Sequence, residues 1–184
     1  MDFQTLSAAR YSLRKFDSRP VEQEKLDLIL KAGRNAPTAH NYQPQRIFVL
    51  QSPEALEKAD ACAGSHFNPP VILAVAYDPA VSWKREYDGK DHGEIDAAIA
   101  AAQMMLQAAD LGLGTTYVGM FEPDKLLAAF PEMAEQISAY AGTSNVLSNA
   151  DGVVMTVILG VPMCNWMYNK LYPAIGRGKK EKKA

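Results

Sequence analysis

Apolar residues recur at helical spacing from Pro20 to Gly33: Leu26, Ile29 and Leu30 share a face, Glu22 and Glu24 occupy the first turn, and Gly33 is placed to stop the helix. The pattern breaks over Arg34–Gln45, where Pro37, Asn41 and Pro44 predict an ordered loop. Arg46–Gln51 then predicts a strand, Ser52 followed by Pro53 predicts the cap of a short helix, and the unbroken run VILAVAY over 71–77 predicts a buried strand. From Asp91, a plausible N-cap, to Gly112 apolar residues fall on both sides of a helix. Ile95, Ala98, Ile99, Ala102, Leu106 and Ala109 share one side, and Ala97, Ala100, Ala101, Met104, Met105 and Ala108 the other. So little polar surface predicts a central helix or a subunit interface. Thr115–Val118 reads as a strand, Pro123–Phe130 as a helix and Val153–Leu159 as a last strand, so the chain is α/β or α+β.

Composition sets the scale: 184 residues, 48% of them hydrophobic, suit one compact domain. The formal net charge of −2 is unevenly spread. Arg177, Lys179, Lys180, Lys182 and Lys183 against Glu181 give residues 177–184 a charge of +4, which leaves −6 on residues 1–176. The expectation is therefore a domain over 1–176 with a basic tail. Its acidic body disfavours nucleic-acid binding and requires any anion site to be built locally. Cys62 and Cys164 form no CxxC pair, the start MDFQTLSAARYS has no secretory pattern, and the uncharged stretch Gly152–Asn169 is broken by Gly160 and Pro162. A cytoplasmic protein outside the membrane is expected. Walker, HExxH and GxSxG motifs are absent, and His40, His66 and His92 have no metal-ligand spacing.

Three constellations carry candidate chemistry. In an extended segment, Arg10, Ser12 and Arg14 project to one face and form an anion clamp suited to a phosphoryl group, although the spacing also fits an exposed basic strand. The loop Ala36–Pro44 offers Thr38, Asn41 and Gln43 as neutral donors and acceptors on a backbone stiffened by two prolines. The stretch GLGTTYVGM over 112–120 is no dinucleotide fingerprint, because Tyr117 stands where the third glycine would be and a helix precedes it. Gly112 and Gly114 read as a helix stop and turn. Gly119 could admit backbone amides close to a flat ligand, or simply form a tight turn.

Taken in order, ARYSLRKF, APTAHNYQP, LGLGTTYVGMF and VILGVP make the chain resemble the FMN-dependent nitroreductase family over nearly its whole length. The resemblance implies an α+β sandwich with a mostly antiparallel central sheet flanked by helices, joined into an intertwined homodimer with FMN at the interface. It implies that Arg10, Tyr11 and Ser12 hold the FMN phosphate and that Arg14 reaches the pyrimidine edge, where a cation stabilises the negative charge gained on reduction. Pro37, Thr38, Ala39, Asn41 and Gln43 would line the flavin from the partner subunit. Tyr117, Val118, Gly119 and Met120 would bring a backbone amide to the ring, and Arg177 and Lys179 would complete the phosphate clamp. Tyr11, His40 and Gln45 depart from residues frequent in the family, which bears on substrate choice more than on FMN.

The activity so implied is NADH- or NADPH-dependent hydride transfer through FMN, by a ping-pong mechanism, to an electron-poor acceptor such as a nitroaromatic or a quinone. No catalytic side chain and no metal is assigned, because the flavin carries the chemistry. Tyr42, Trp83 and Tyr87 are candidate covers of the substrate slot, with ordinary packing as their alternative. Ene reduction or dehalogenation within the same fold, and an FMN-binding, storing or sensing dimer without turnover, are the competing functions. Arg14 weighs against the last, because a cation at the flavin edge tunes redox potential rather than merely holding the ligand.

Overall fold

A computed structural model describes residues 2–137 and 153–160 of the chain. Its elements, in order, are α1 (Phe3–Ala9), α2 (Gln23–Arg34), β1 (Gln45–Leu50), α3 (Pro53–Asp60), β2 (Val71–Tyr77), α4 (Gly93–Asp110), β3 (Gly114–Val118), α5 (Pro123–Ala129), α6 (Pro131–Gln136) and β4 (Val153–Gly160). The four strands form one antiparallel sheet in the order β1-β2-β4-β3, with Gln45 opposite Tyr77 and Gly114 opposite Gly160. This is the α+β class expected, with an antiparallel sheet.

Strand β2 shows why the core has two parts. Its seven residues are all buried, and alternation sends Ile72, Ala74 and Ala76 to one cluster and Val71, Leu73, Val75 and Tyr77 to the other. The first cluster adds Leu13, Phe16, Leu126 and Met133, and the second adds Leu26 and Ile29 of α2 with Ala97, Ala101 and Met104 of α4. A side chain such as Leu73, fully buried, contributes about 1.5–3 kcal/mol to such a core.

Helix α4 is central, but one-sided within the single chain. Ala97, Ala100, Ala101, Met104 and Ala108 are fully buried, whereas Ile95 and Ile99 on the other side are 42% and 36% exposed. The helix starts one residue later than the Asp91 cap predicts, with His92 in the cap position. Asp91 nevertheless accepts from the Gly93 amide at 2.8 Å while its second oxygen accepts from the Ser82 hydroxyl at 2.7 Å. At the other end, Gly112 (φ 78°) is a left-handed stop: the Leu113 amide donates to the Ala108 carbonyl and the Gly112 amide to that of Ala109, which satisfies the last carbonyls.

Local expectations fail in instructive places. Gly33 does not end α2, which continues to Arg34. A Cβ at position 33 would lie 2.8 Å from Met104 Sδ, so glycine is there to let α2 and α4 cross. Pro20 does not start that helix, which begins after Glu22. Gly114 is no turn residue but the first of β3, where a Cβ would fall 2.1 Å from Leu13 Cδ2. Ser52 caps α3 as expected, accepting from Ala55 N at 3.2 Å. Helices α1 and α6 are additional to the predicted set; α1 is capped by Asp2, whose carboxylate accepts from Thr5 N at 3.0 Å. Cys164 and residues 177–184 lie outside the described residues.

Candidate functional site

The segment after α1 becomes extended at Arg10 (ψ 128°) and runs beside β3, with Ser12 and Thr115 in a parallel bridge. The Leu13 amide donates to the Thr115 carbonyl at 2.8 Å, and the Thr116 hydroxyl donates to the Leu13 carbonyl. Leu13 is fully buried and Tyr11 packs half-buried against the same cluster, so alternation turns Arg10, Ser12 and Arg14 the other way. This is the face predicted for the clamp. Arg14 Nη1 donates to the Ser12 carbonyl at 3.3 Å. Arg19, Arg46 and Arg85 each have a carboxylate within 4 Å, whereas among the described residues Arg10 and Arg14, like Arg34, have none. Two uncompensated guanidiniums beside a hydroxyl, on an acidic body, suit a phosphate.

Two positions along from the bridge on β3 stands Tyr117, 45% exposed; burial, and then the charge of Glu94 at the start of α4, push its phenol above the ordinary range. Val118 points into the core, leaving only its backbone for a ligand. Beyond it the chain is tied to the segment after α3: Gly64 N donates to the Met120 carbonyl at 2.9 Å, and Glu122 N to that of Cys62 at 2.8 Å. Gly119 is the residue between β3 and that tie, and a Cβ there would meet nothing within 4 Å. With Met120 67% exposed, the end of β3 presents open backbone and exposed side chains.

The loop between α2 and β1 is built differently. Ala39–Asn41 forms a short 3-10 turn, and His40 (φ 52°), Asn41 (φ 55°) and Gln43 (φ 50°) all adopt left-handed conformations. Each such residue costs about 1–3 kcal/mol and persists only where its surroundings over-determine it. Several bonds do so. Thr38 Oγ1 accepts from Gln43 N at 3.1 Å, Asp96 Oδ1 of α4 accepts from Ala39 N at 2.9 Å, and Asp78 N donates to the Pro44 carbonyl at 2.8 Å. Beneath the loop, Arg46 donates to Asp78 at 3.1 Å and to the Pro44 carbonyl at 3.1 Å. Pro37, Asn41, Tyr42 and Gln43 remain exposed, and Thr38 and Ala39 half-buried.

Aromatic contacts extend the anchoring. His40 stacks on Trp83 with ring centroids 5.1 Å apart and planes at 25°, Tyr42 lies 5.7 Å from His40, and Trp83 meets His92 edge-on at 4.7 Å. Trp83 is carried by a short hairpin in which Lys84 and Asp91 bridge. Two of the three predicted slot residues, Tyr42 and Trp83, thus gather around His40. Tyr87, between them and the turn Gly89, is 97% exposed, and no ring contact joins it to that group. Sequence reasoning marked His40 only as a departure bearing on substrate choice, and passed over His92 and Asp96 as members of this site. The available signal was a carboxylate at 96 on the Ala/Met side of an apolar helix.

Within one chain the loop and the clamp are anchored at opposite ends of α4. Asp96 holds the loop at the first turn of α4, while Leu13 packs on Gly114, just past its last turn. Positions 96 to 108 alone span about 18 Å of helix at ~1.5 Å per residue. Arg177 and Lys179 are outside the described residues. Among the described residues no group of His, Cys, Asp and Glu could hold a metal, and no helix is long and apolar enough to cross a membrane.

Comparison with known proteins gives this arrangement a setting. The profile described as the Nitroreductase family matches residues 8–68, which include the clamp segment and the loop, and one described as a protein of unknown function (DUF3100) matches residues 95–170. A protein of Archaeoglobus fulgidus, provisionally named NADH dehydrogenase/NAD(P)H nitroreductase, is 30% identical over 67% of this chain and 71% of its own length. The FMN reductase [NAD(P)H] of Bacillus subtilis is 31% identical over 59% of this chain, and the match spans half of that relative. The crystal structure of a nitroreductase family protein from Clostridium difficile 630 is similar with a TM-score of 0.76, at 33% identity, over 89% of this chain and 86% of that one. With such likeness in sequence and in fold, and with the clamp segment and the strained loop both inside the matched region, the chain belongs to the nitroreductase family.

Proposed function

We propose that the protein is an FMN-dependent NAD(P)H oxidoreductase, working as a cytoplasmic homodimer that passes hydride in a ping-pong cycle to an electron-poor acceptor such as a nitroaromatic or quinone. The observation that carries this reading is the pair Arg10 and Arg14, flanking Ser12 with no carboxylate of their own among the described residues. When bound, FMN supplies the hydride chemistry. Arg10, Ser12 and the backbone at Tyr11 hold its phosphate. Arg14 places a fixed positive charge at the edge where electron density accumulates on reduction. Tyr117, Val118, Gly119 and Met120 would bring a backbone amide to the ring.

The anchoring of clamp and loop at opposite ends of α4 supports a shared site. Residues Pro37, Thr38, Ala39, Asn41 and Gln43 of one subunit line the cofactor held by the other, and the outward face of α4, with Ile95 and Ile99, packs at the interface. Tyr42 and Trp83 flank the acceptor slot; Tyr87 contributes only if the partner subunit covers it. Arg177 and Lys179 serve the phosphate in this reading, with Lys180–Lys183 as a solvated tail after the 1–176 domain.

Purified protein should be yellow and should bleach when NADH or NADPH is added without oxygen. Colour that persists under excess of both would instead favour a storing or sensing dimer. A steady-state screen of nitro, quinone, enone and halogenated phenol acceptors then separates nitroreduction from ene reduction and dehalogenation.

A further inference from the structure

Asp96 is 2% exposed, on the side of α4 that otherwise buries alanine and methionine against the sheet. Its Oδ1 accepts from Ala39 N at 2.9 Å, across 57 positions of sequence, and its Oδ2 is buried without a hydrogen-bond partner among the described residues. Because burying a charge carries a desolvation cost, replacing a buried carboxylate by an apolar residue is often neutral or stabilising for folding, so a carboxylate at this position calls for another reason. The first turn of the helix lowers that cost through its positive end. The bond reaches the residue immediately before three left-handed residues in four, His40, Asn41 and Gln43. On the far side of the same turn, His40 is stacked on Trp83.

We propose that Asp96 is a positioning residue: with Trp83 it forms a two-point clamp that holds the Thr38–Gln43 loop in its strained, outward-facing conformation before any ligand binds. The consequence for flavin affinity rests on the FMN reading of the previous subsection, whereas the clamp itself does not. Asp96 fixes the loop's entry through the Ala39 amide, and Trp83 fixes its crest through the His40 ring. Asn41 and Gln43 are then presented to a ligand in a single arrangement, so that binding does not have to order them.

The test has one readout without flavin and one with it. In the flavin-free protein, hydrogen exchange over 36–45 is expected to speed up at least about tenfold in Asp96→Ala, with β2 over 71–77 unchanged. Asp96→Asn, which keeps an acceptor oxygen for Ala39, is expected to stay within about threefold of the original chain. Titration with FMN should show affinity about ten- to one-hundredfold weaker in Asp96→Ala and restored by Asp96→Asn, the range for leaving one part-buried backbone donor unsatisfied. Unchanged exchange over 36–45 in Asp96→Ala overturns the clamp, as does a loss of protection spread equally over 71–77, which marks a merely structural carboxylate. Should Asp96→Ala not fold, Trp83→Leu carries the same readouts with the same expected directions, and unchanged exchange there is equally fatal. If the unsubstituted protein fails to bind FMN, the flavin reading falls while the exchange result still decides the clamp.

Discussion

Leu13 occupies the space that a side chain on Gly114 would need: a Cβ at 114 would lie 2.1 Å from Leu13 Cδ2. The contact seats the Arg10–Arg14 segment on β3, because the Leu13 amide and carbonyl are bonded to Thr115 and Thr116 just beyond. Gly114→Ala is therefore expected to push the segment outward. The overpacking cost is about 1–3 kcal/mol, measured by urea denaturation. FMN affinity should fall with it, since Ser12 is bridged to Thr115.

Arg10 has no carboxylate partner among the described residues, so its removal orphans no charge among them. Arg10→Ala should leave the melting temperature of the flavin-free protein unchanged while weakening FMN binding about ten- to one-hundredfold, and should reduce the salt dependence of that binding. Arg14→Ala should slow flavin reduction by pyridine nucleotide more than it weakens binding. Equal loss in both would place Arg14 at the phosphate instead.

Ile95 and Ile99 are half-exposed on the outward side of α4. A charge at position 99 should alter the single chain's stability little, by about 0.5 kcal/mol, but should not be tolerated in an apolar interface. Ile99→Glu is expected to sediment as a monomer and to lose bound flavin. Retention of a dimer with full flavin content would place the interface elsewhere.

The Tyr117 phenol is held above its ordinary range, first by burial and second by the charge of Glu94. With the folded value raised above the unfolded one, the stabilisation is complete below the ordinary phenol range, near pH ~10, and is lost as pH rises through the folded value. Spectrophotometric titration of the flavin-free protein should lose one late-titrating phenol in Tyr117→Phe. The same substitution should flatten the alkaline loss of stability.

Strands and helices with a strong periodic pattern were legible from residues alone. VILAVAY gave β2 without error, and Ser52-Pro53 gave the start of α3, because a cap and a fixed φ act within one turn of chain. The same local logic misassigned Gly33 and Gly114. Both are glycines for reasons that lie in a distant side chain, Met104 in one case and Leu13 in the other. The short α1 depends on a single capping carboxylate, Asp2, and is too brief for periodicity to reveal.

For the site, the sequence by itself determined the chemical inventory: two guanidiniums and a hydroxyl at alternate positions, a loop of neutral donors between prolines, and a helix with too little polar surface. Alternation and composition are properties of neighbours along the chain, and they need no fold. Only the tertiary structure decided that Arg10 and Arg14 are left without carboxylates among the described residues, that Trp83 stacks on His40 while Tyr87 stays exposed, and that Asp96 reaches back to Ala39. Those are pairings between residues tens of positions apart, set by how α4 lies across the sheet.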